Sequence, residues 1–296
     1  MNEENTKLKI ALPRKGRISQ SLNSVCKEAG YGWPSSDTGR ALFAKISNDI
    51  EVMFVRTSDV PTVVADGIVD IGITGTDLVE ESQCDVNIIE ELKLLECRLV
   101  LAGTEIWAKS FNNNSKETIR IATSFPRLAQ NWADQNDIKI QIIPLAGSVE
   151  IAPRIELADA IIDLTQTGAS LKMNGLLEVE TIRNVSTCII SSSGFDINNK
   201  GKVETIAKTF TEAIVSVLNA RDKRYLMMNV PKASLEEVKQ IVPGLSAPTV
   251  LDLYGNSDIV ALHVVIEASQ LNIVIPLLRE KGVHGILVTP IERLIP

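Results

Sequence analysis

Short apolar runs alternate with amphipathic stretches from the start of the chain. Residues 7–12 (KLKIAL) predict a strand, followed by the PRKGR turn and a helix to about Gly30. IEVMFVR (50–56) predicts a second strand and TSDVPTVVADG a short helix with Ser58 or Asp59 as N-cap. VDIGIT (69–74) is a third strand, Gly75 opens the next helix, and CRLVLAG (97–103) is again a strand. Strands and helices in alternation imply parallel pairing.

A polar stretch, SFNNNSKET (110–118), interrupts the pattern and predicts a surface loop. A second series starts at IRIAT (119–123). PRLAQNWADQND follows as a helix with Pro126 near its first position, then IKIQIIPL (138–145) as a strand. GSVEIAPRIELA leads into a helix and AIIDL (160–164) is the next strand. EVETIRNVSTCIISSS (178–193) returns as one or two strands. Two α/β lobes in series with a return crossing put a cleft between them, and open α/β sheets bind ligands at the carboxyl ends of their strands. The lobes are expected over 1–100 with 180–196, and over 101–179.

SSSGFDINNKGK (191–202) predicts a linker, and VETIAKTFTEAIVSVLNARD a strongly periodic helix. RYLMMNV, SLEEVKQIV, PTVLDLY, DIVALHVVI, QLNIVIPLLREKG and GILVTPIERL then run strand, helix, strand, strand, helix, strand. That βαββαβ order predicts a ferredoxin-like unit within a third domain over 203–296.

Composition narrows the chemistry. The 296 residues carry a net charge of −7, which argues against a general nucleic-acid binder. Aromatics make up only 4%, so the core is expected to be mostly Ile, Val, Leu and Ala. No apolar run is long enough to span a bilayer, and the polar, acidic start MNEENTKLKIAL is no signal peptide, so a cytoplasmic protein is expected. Cys26, Cys84, Cys97 and Cys188 form no CxxC or Cys/His cluster and read as reduced thiols. The two histidines are His263 and His284, so residues 1–262 hold no histidine base. Chemistry in the two lobes therefore disfavours Ser-His-Asp and Cys-His hydrolysis.

The stretch DAIIDLTQTGASLKMNG (159–175) is where chemistry is most legible. A strand delivers Asp163 to its carboxyl end. Leu164, Thr165, Gln166, Thr167, Gly168, Ala169 and Ser170 then offer hydroxyls and backbone N–H groups to a sugar phosphate, and a helix follows. The same residues would equally make a solvated strand-to-helix turn with Ser170 as N-cap. In LPRKGR, Arg14, Lys15 and Arg17 bracket Gly16, either as a polyanion site or as a solvated basic turn. Ile73, Thr74, Gly75 and Thr76 do not match the dinucleotide fingerprint; they read as a tight turn or as a wall against a base or phosphate. Glu150 and Arg154, four residues apart, either pair with each other or serve a metal and a phosphate. Arg56 ends a strand at the cleft edge, and His263 reads as a satisfied core or interface residue.

These segments carry a resemblance. IALPRKGR, FVRTSDVPTVVADGIVDIGITGTDLV, CRLVLA, RIATSFPRLA, LAGSVEIAPRIELADAIIDLTQTGASLKMNGLLEVE and GILVTPIERL are similar to the ATP phosphoribosyltransferase family, in its long form with a C-terminal regulatory domain. The resemblance implies two type II periplasmic-binding-protein-like lobes. It implies condensation of ATP with 5-phosphoribosyl 1-pyrophosphate (PRPP) to N1-(5-phosphoribosyl)-ATP and pyrophosphate, the first step of histidine biosynthesis, with Mg²⁺ required. It places the ribose 5-phosphate on Asp163 to Ser170, and Glu150 and Asp163 near ribose and metal. Arg14, Lys15, Gly16, Arg56 and Arg154 would face phosphates, and Ile73 to Thr76 would lie near adenine or an ATP phosphate. Histidine as allosteric inhibitor is expected between paired C-terminal units near Thr249, Leu251 and His263, in homo-oligomers that are dimers or hexamers. Glu96 departs from the family, which commonly has a glycine and a small or basic residue before this cysteine. Two lobes in series also describe solute-binding proteins, but those carry an export signal or a DNA-binding module, and neither is visible. A non-catalytic paralogue would show a degraded 163–170 loop, which is intact here.

Overall fold

The computed structural model describes residues 7–33, 42–111, 117–245 and 247–295; most of the expected 110–118 loop lies outside them. The described residues divide into two compact units, one within 1–24 and 32–211, the other within 25–31 and 212–296. No described helix is long and apolar enough to cross a membrane.

The first half of the larger unit contains β1 (Leu8–Pro13), α1 (Arg17–Glu28), β2 (Phe43–Lys45), β3 (Ile50–Val55), α2 (Val60–Ala65), β4 (Ile71–Gly75) and α3 (Thr76–Ser82). β5 (Val86–Thr104), α4 (Glu105–Ser110), β6 (Ile119–Thr123), α5 (Pro126–Gln135), β7 (Ile140–Pro144), β8 (Ala160–Thr165), α6 (Ala169–Met173) and β9 (Leu176–Ser192) follow; the ends of α1 and of α7 (Lys202–Arg221) fall in the smaller unit's residue ranges. One sheet runs β2-β3-β1-β4-β9-β5-β8-β6-β7. Strands β1, β3 and β4 are parallel, as are β6, β7 and β8. Leu8, Ile10, Leu12, Ile71 and Ile73 are fully buried, as parallel strands covered on both faces require.

Two antiparallel strands, β5 and β9, join these parallel sets. Val86–Leu92 of β5 pairs with Thr187–Ser192 of β9, which also pairs with β4. Cys97–Thr104 pairs with the earlier half of β9, and Arg98–Gly103 also with β8. The register slips between Leu92 and Cys97, where Leu95 takes φ 56°. Buried Thr187 donates its hydroxyl to Leu94 O at 2.8 Å and satisfies the carbonyl freed by that bulge. Two parallel lobes joined by two crossings make the type II periplasmic-binding-protein arrangement.

The structure corrects several local expectations. The strand expected from Cys97 begins at Val86, and the one expected from Glu178 begins at Leu176 as a single crossing. The helix expected after GSVE is one 3₁₀ turn, Val149–Ile151, followed by turns. Ser148 and Glu156 adopt positive φ (54° and 59°) on either side of Pro153, so no α-helical ladder can run through.

Helix α2 packs against β4 at Gly72, where a Cβ would stand 2.5 Å from Val60 Cγ1 and 2.7 Å from Val64 Cγ2. Gly72→Ala is expected to lower stability by about 1–3 kcal/mol through overpacking. Urea unfolding checks this, and an unchanged midpoint would refute the close approach.

The smaller unit holds β10 (Lys223–Pro231), α8 (Leu235–Ile241), β11 (Thr249–Leu253), β12 (Asn256–Glu267), α9 (Leu271–Glu280) and β13 (His284–Pro290). Its sheet order is β11-β12-β10-β13 with antiparallel neighbours, the ferredoxin-like arrangement. Alternate residues face the helices: Leu226, Met228, Val230, Leu262 and Val264 bury against Val238, Val274 and Leu278.

Candidate active site

At the carboxyl end of β8, Asp163 accepts a hydrogen bond from the Leu164 N–H at 2.8 Å. Burial pushes its carboxyl up to about 6, against the pull of the Leu164 N–H, and the Glu150 carboxylate adds to the rise. The loop beyond is self-capped. Thr165, itself buried, accepts from the Gly168 N–H at 3.0 Å, and Thr167 accepts from the Ala169 N–H at 3.4 Å. Gly168, at φ 74°, occupies the N-cap position of α6. Ser170 is therefore not the cap; its hydroxyl donates to Glu150 Oε1 at 2.6 Å. That bond brings the 3₁₀ turn and the loop together, with Glu150 and Asp163 near each other. Glu150 and Arg154 share no ion pair, since turns rather than an α-helix separate them, and Arg154 is exposed.

In the other lobe, β1 and β3 end side by side, Pro13 opposite Val55, and the Arg14 N–H donates to Val55 O at 2.8 Å. Gly16 turns the chain with φ 95°. Arg14, Lys15 and Arg56 border a cavity of about 520 Å³ together with Thr57 and Asp59. Ile73 and Thr74 are fully buried in the sheet, and Thr74 donates its hydroxyl to Thr57 O at 3.0 Å. The Thr76 hydroxyl accepts from the Ser186 N–H at 3.2 Å.

Between the lobes lies a cavity of about 380 Å³. Arg17, Gly75, Asp77 and Leu78 border it from one lobe, Phe125, Leu164, Thr165 and Gln166 from the other, and Leu95, Cys97, Val185 and Thr187 from the crossings. Two expected sets, the Gly75 turn and the Asp163 loop, thus meet at one space. Arg17, Asp77, Cys97 and Phe125 carry no sequence signal as a group, because only the fold gathers them. Burial pushes Cys97 up to about 11, helped by Asp77 and opposed by Arg17. Glu96 is exposed and borders an adjoining cavity of about 480 Å³ with Glu91, Arg98 and Gln166.

In the smaller unit, Thr249 and His263 are register partners, and Leu251 pairs with Ala261 on the same face. His263 Nδ1 is 2.8 Å from the Tyr225 hydroxyl, and the rings meet edge to face. The histidine is thus satisfied within its own sheet.

No group of three or more metal-ligating side chains occurs among the described residues. Glu150 and Asp163 nevertheless suit Mg²⁺, which takes one or two protein carboxylates and completes its shell with substrate phosphates and water.

A family model described as ATP phosphoribosyltransferase matches residues 56–212, and one described as HisG, C-terminal domain, matches residues 220–293. An ATP phosphoribosyltransferase of Gemmatimonas aurantiaca is 39% identical over 98% of this chain and 100% of its own length. That of Methanocaldococcus jannaschii is 39% identical over 97% of this chain and 99% of its own. A solved structure, the ATP phosphoribosyl transferase (HisG:HisZ) complex from Thermotoga maritima, contains a chain 32% identical with a TM-score of 0.59; the match covers 70% of this chain and 98% of that one.

Proposed function

The chain belongs to the ATP phosphoribosyltransferase family, which joins ATP to PRPP in histidine biosynthesis, and from that premise we propose how its residues divide the work. Residues 163–170 hold the ribose 5-phosphate. Glu150 and Asp163 serve the ribose hydroxyls and hold Mg²⁺, which, when bound, neutralises charge on the departing pyrophosphate. Arg14, Lys15, Gly16 and Arg56, with Arg154, face the phosphates. Ile73 to Thr76 shape the adenine side, where Gly75 forms the wall and Ile73 and Thr74 support it from the sheet.

What carries this reading is the shared cavity walled by Gly75 from one lobe and Leu164, Thr165 and Gln166 from the other. Two substrates held on opposite lobes meet there, and orientation alone removes much of the barrier. Adenine N1 attacks with a lone pair it already has, so no base is needed, consistent with a chain lacking histidine before residue 263. The remaining barrier is charge separation, which oriented donors and cations lower.

We assign the catalytic lobes to 1–100 with 180–196 and to 101–179, and regulation to 203–296. Histidine acts at the face bearing Thr249, Leu251 and His263, between copies in a dimer or hexamer. Both substrates are cytoplasmic metabolites, and the reaction is placed there. Purified protein with ATP, PRPP and Mg²⁺ is expected to form phosphoribosyl-ATP by ultraviolet absorbance, more slowly with histidine. No absorbance change would overturn the catalytic assignment, and a histidine-insensitive rate would overturn the regulatory one.

A further inference from the structure

Asp77 is the one charged side chain among the buried described residues, with 4% of its surface exposed. It nonetheless borders the cavity between the lobes, across from Thr165 and Gln166. Its carboxylate folds back over Gly75 so closely that a Cβ there would collide with Oδ1. Backbone N–H groups of Asp77 and Leu78 hydrogen-bond to it. Among the described residues no ion pair engages it: Arg183, whose charge reaches it against that of Glu81, is paired with Glu80, and Arg17 borders the same cavity. Burying a carboxylate without a cation is expensive, and such groups concentrate where a ligand supplies the missing partner.

The reaction supplies a cation. The N1 lone pair forms the bond to ribose C1 while the C1–oxygen bond breaks and its electron pair leaves with pyrophosphate. Adenine, neutral before, gains one positive charge, spread over N1, C6 and N6 as an amidinium. A charge that exists only after attack begins is the kind that accelerates the step when it is met.

We propose that Asp77 is a catalytic residue: its buried carboxylate accepts a hydrogen bond from the adenine amino group and is the counter-charge for the amidinium formed as N1 is ribosylated. The assignment rests on adenine occupying the cleft as read above. It explains why a carboxylate, rather than a neutral acceptor, lines an otherwise largely apolar wall. No proton need transfer, since the N6 hydrogens remain on the product.

The test uses the full-length protein and Asp77→Asn, which keeps the shape and one acceptor oxygen but removes the charge. Asp77→Asn is expected to lower kcat about 100-fold, with KM for ATP and PRPP within about threefold, and not to lower the thermal midpoint. Phosphoribosyl-ATP bound to the wild-type protein is then titrated by its ultraviolet spectrum. Its amidinium should hold its proton to higher pH than in free product, and on Asp77→Asn the titration should return toward that of free product. Unchanged kcat, a loss confined to KM for ATP, or a wild-type titration identical to free product would overturn the role. The titration on wild type decides the matter even if the variant misfolds. A wild-type protein that forms no product would instead overturn the reading on which the role rests.

Discussion

Asp163→Asn is expected to lower phosphoribosyl transfer by about 10²–10³-fold while making the ligand-free protein more stable at pH 7. The activity loss follows from removing one of the two carboxylates proposed to serve ribose and metal; Glu150, already bonded to Ser170, cannot replace a charge at the end of β8. The stability gain follows from burial. The Asp163 carboxyl is raised from 3.8 to about 6, so between those values the folded chain holds a proton that the unfolded chain has released. Stability therefore falls as pH rises from about 4 to 6, and the loss persists above. Asparagine carries no such charge and can still accept from the Leu164 N–H. The gain should be on the order of 2 kcal/mol at pH 7 and should vanish near pH 4. Thermal unfolding at pH 4 and 7, beside the product assay, checks both signs. A variant with full activity would remove Asp163 from the site.

The second large effect lies beneath the site. Trp132 on α5 is 3% exposed and packs in the cluster that includes Leu99, Leu101, Ile121 and Ile162. Those residues lie on β8, which carries the Asp163 loop, and on β5 and β6, which flank it. Trp132→Ala is expected to cost about 3–5 kcal/mol, because a cavity of that size cannot collapse between a helix and a sheet. Trp132→Phe should cost far less. The indole Nε1 is buried with no hydrogen-bond partner among the described residues, and removing an unsatisfied donor recovers about 1–3 kcal/mol against the lost packing. Chemical denaturation of both variants separates the contributions, and equal losses would mean that the indole nitrogen is satisfied.

The sequence carried most of the fold because its apolar runs are short and cleanly bounded. KLKIAL, IEVMFVR and AIIDL match β1, β3 and β8 to within a residue or two. The βαββαβ order was legible in the same way. The start of β5 was not, since VNIIEELKLLE is broken by charges that a two-lobe crossing tolerates on its exposed positions. The turns after Ser148 are not legible in the sequence because two non-glycine residues take positive φ there, a conformation no pattern announces. Within the candidate site, the Asp163 loop and the Gly75 turn were visible as contiguous motifs. Asp77 and Cys97 were not, because residues scattered over a lobe and a crossing become a wall only after folding. The bond from Ser170 to Glu150 was hidden for the same reason: twenty positions separate them, and helical spacing favoured Arg154 instead.

The pairing of β4 with β9 bears on how the chain is made. Residues 71–75 find their neighbour on that side only when residues 187–191 exist. During synthesis at about 5–20 residues per second, the edge of β4 stays open on the ribosome for on the order of ten seconds. β6, β7 and β8 lie within one contiguous stretch and can assemble meanwhile. The first lobe must wait with Gly72, Ile73 and Thr74 on an unpaired edge that could template the wrong strand. A stop or slow codon cluster shortly before Leu176 should therefore raise aggregation of nascent chains far more than one placed after Ser192.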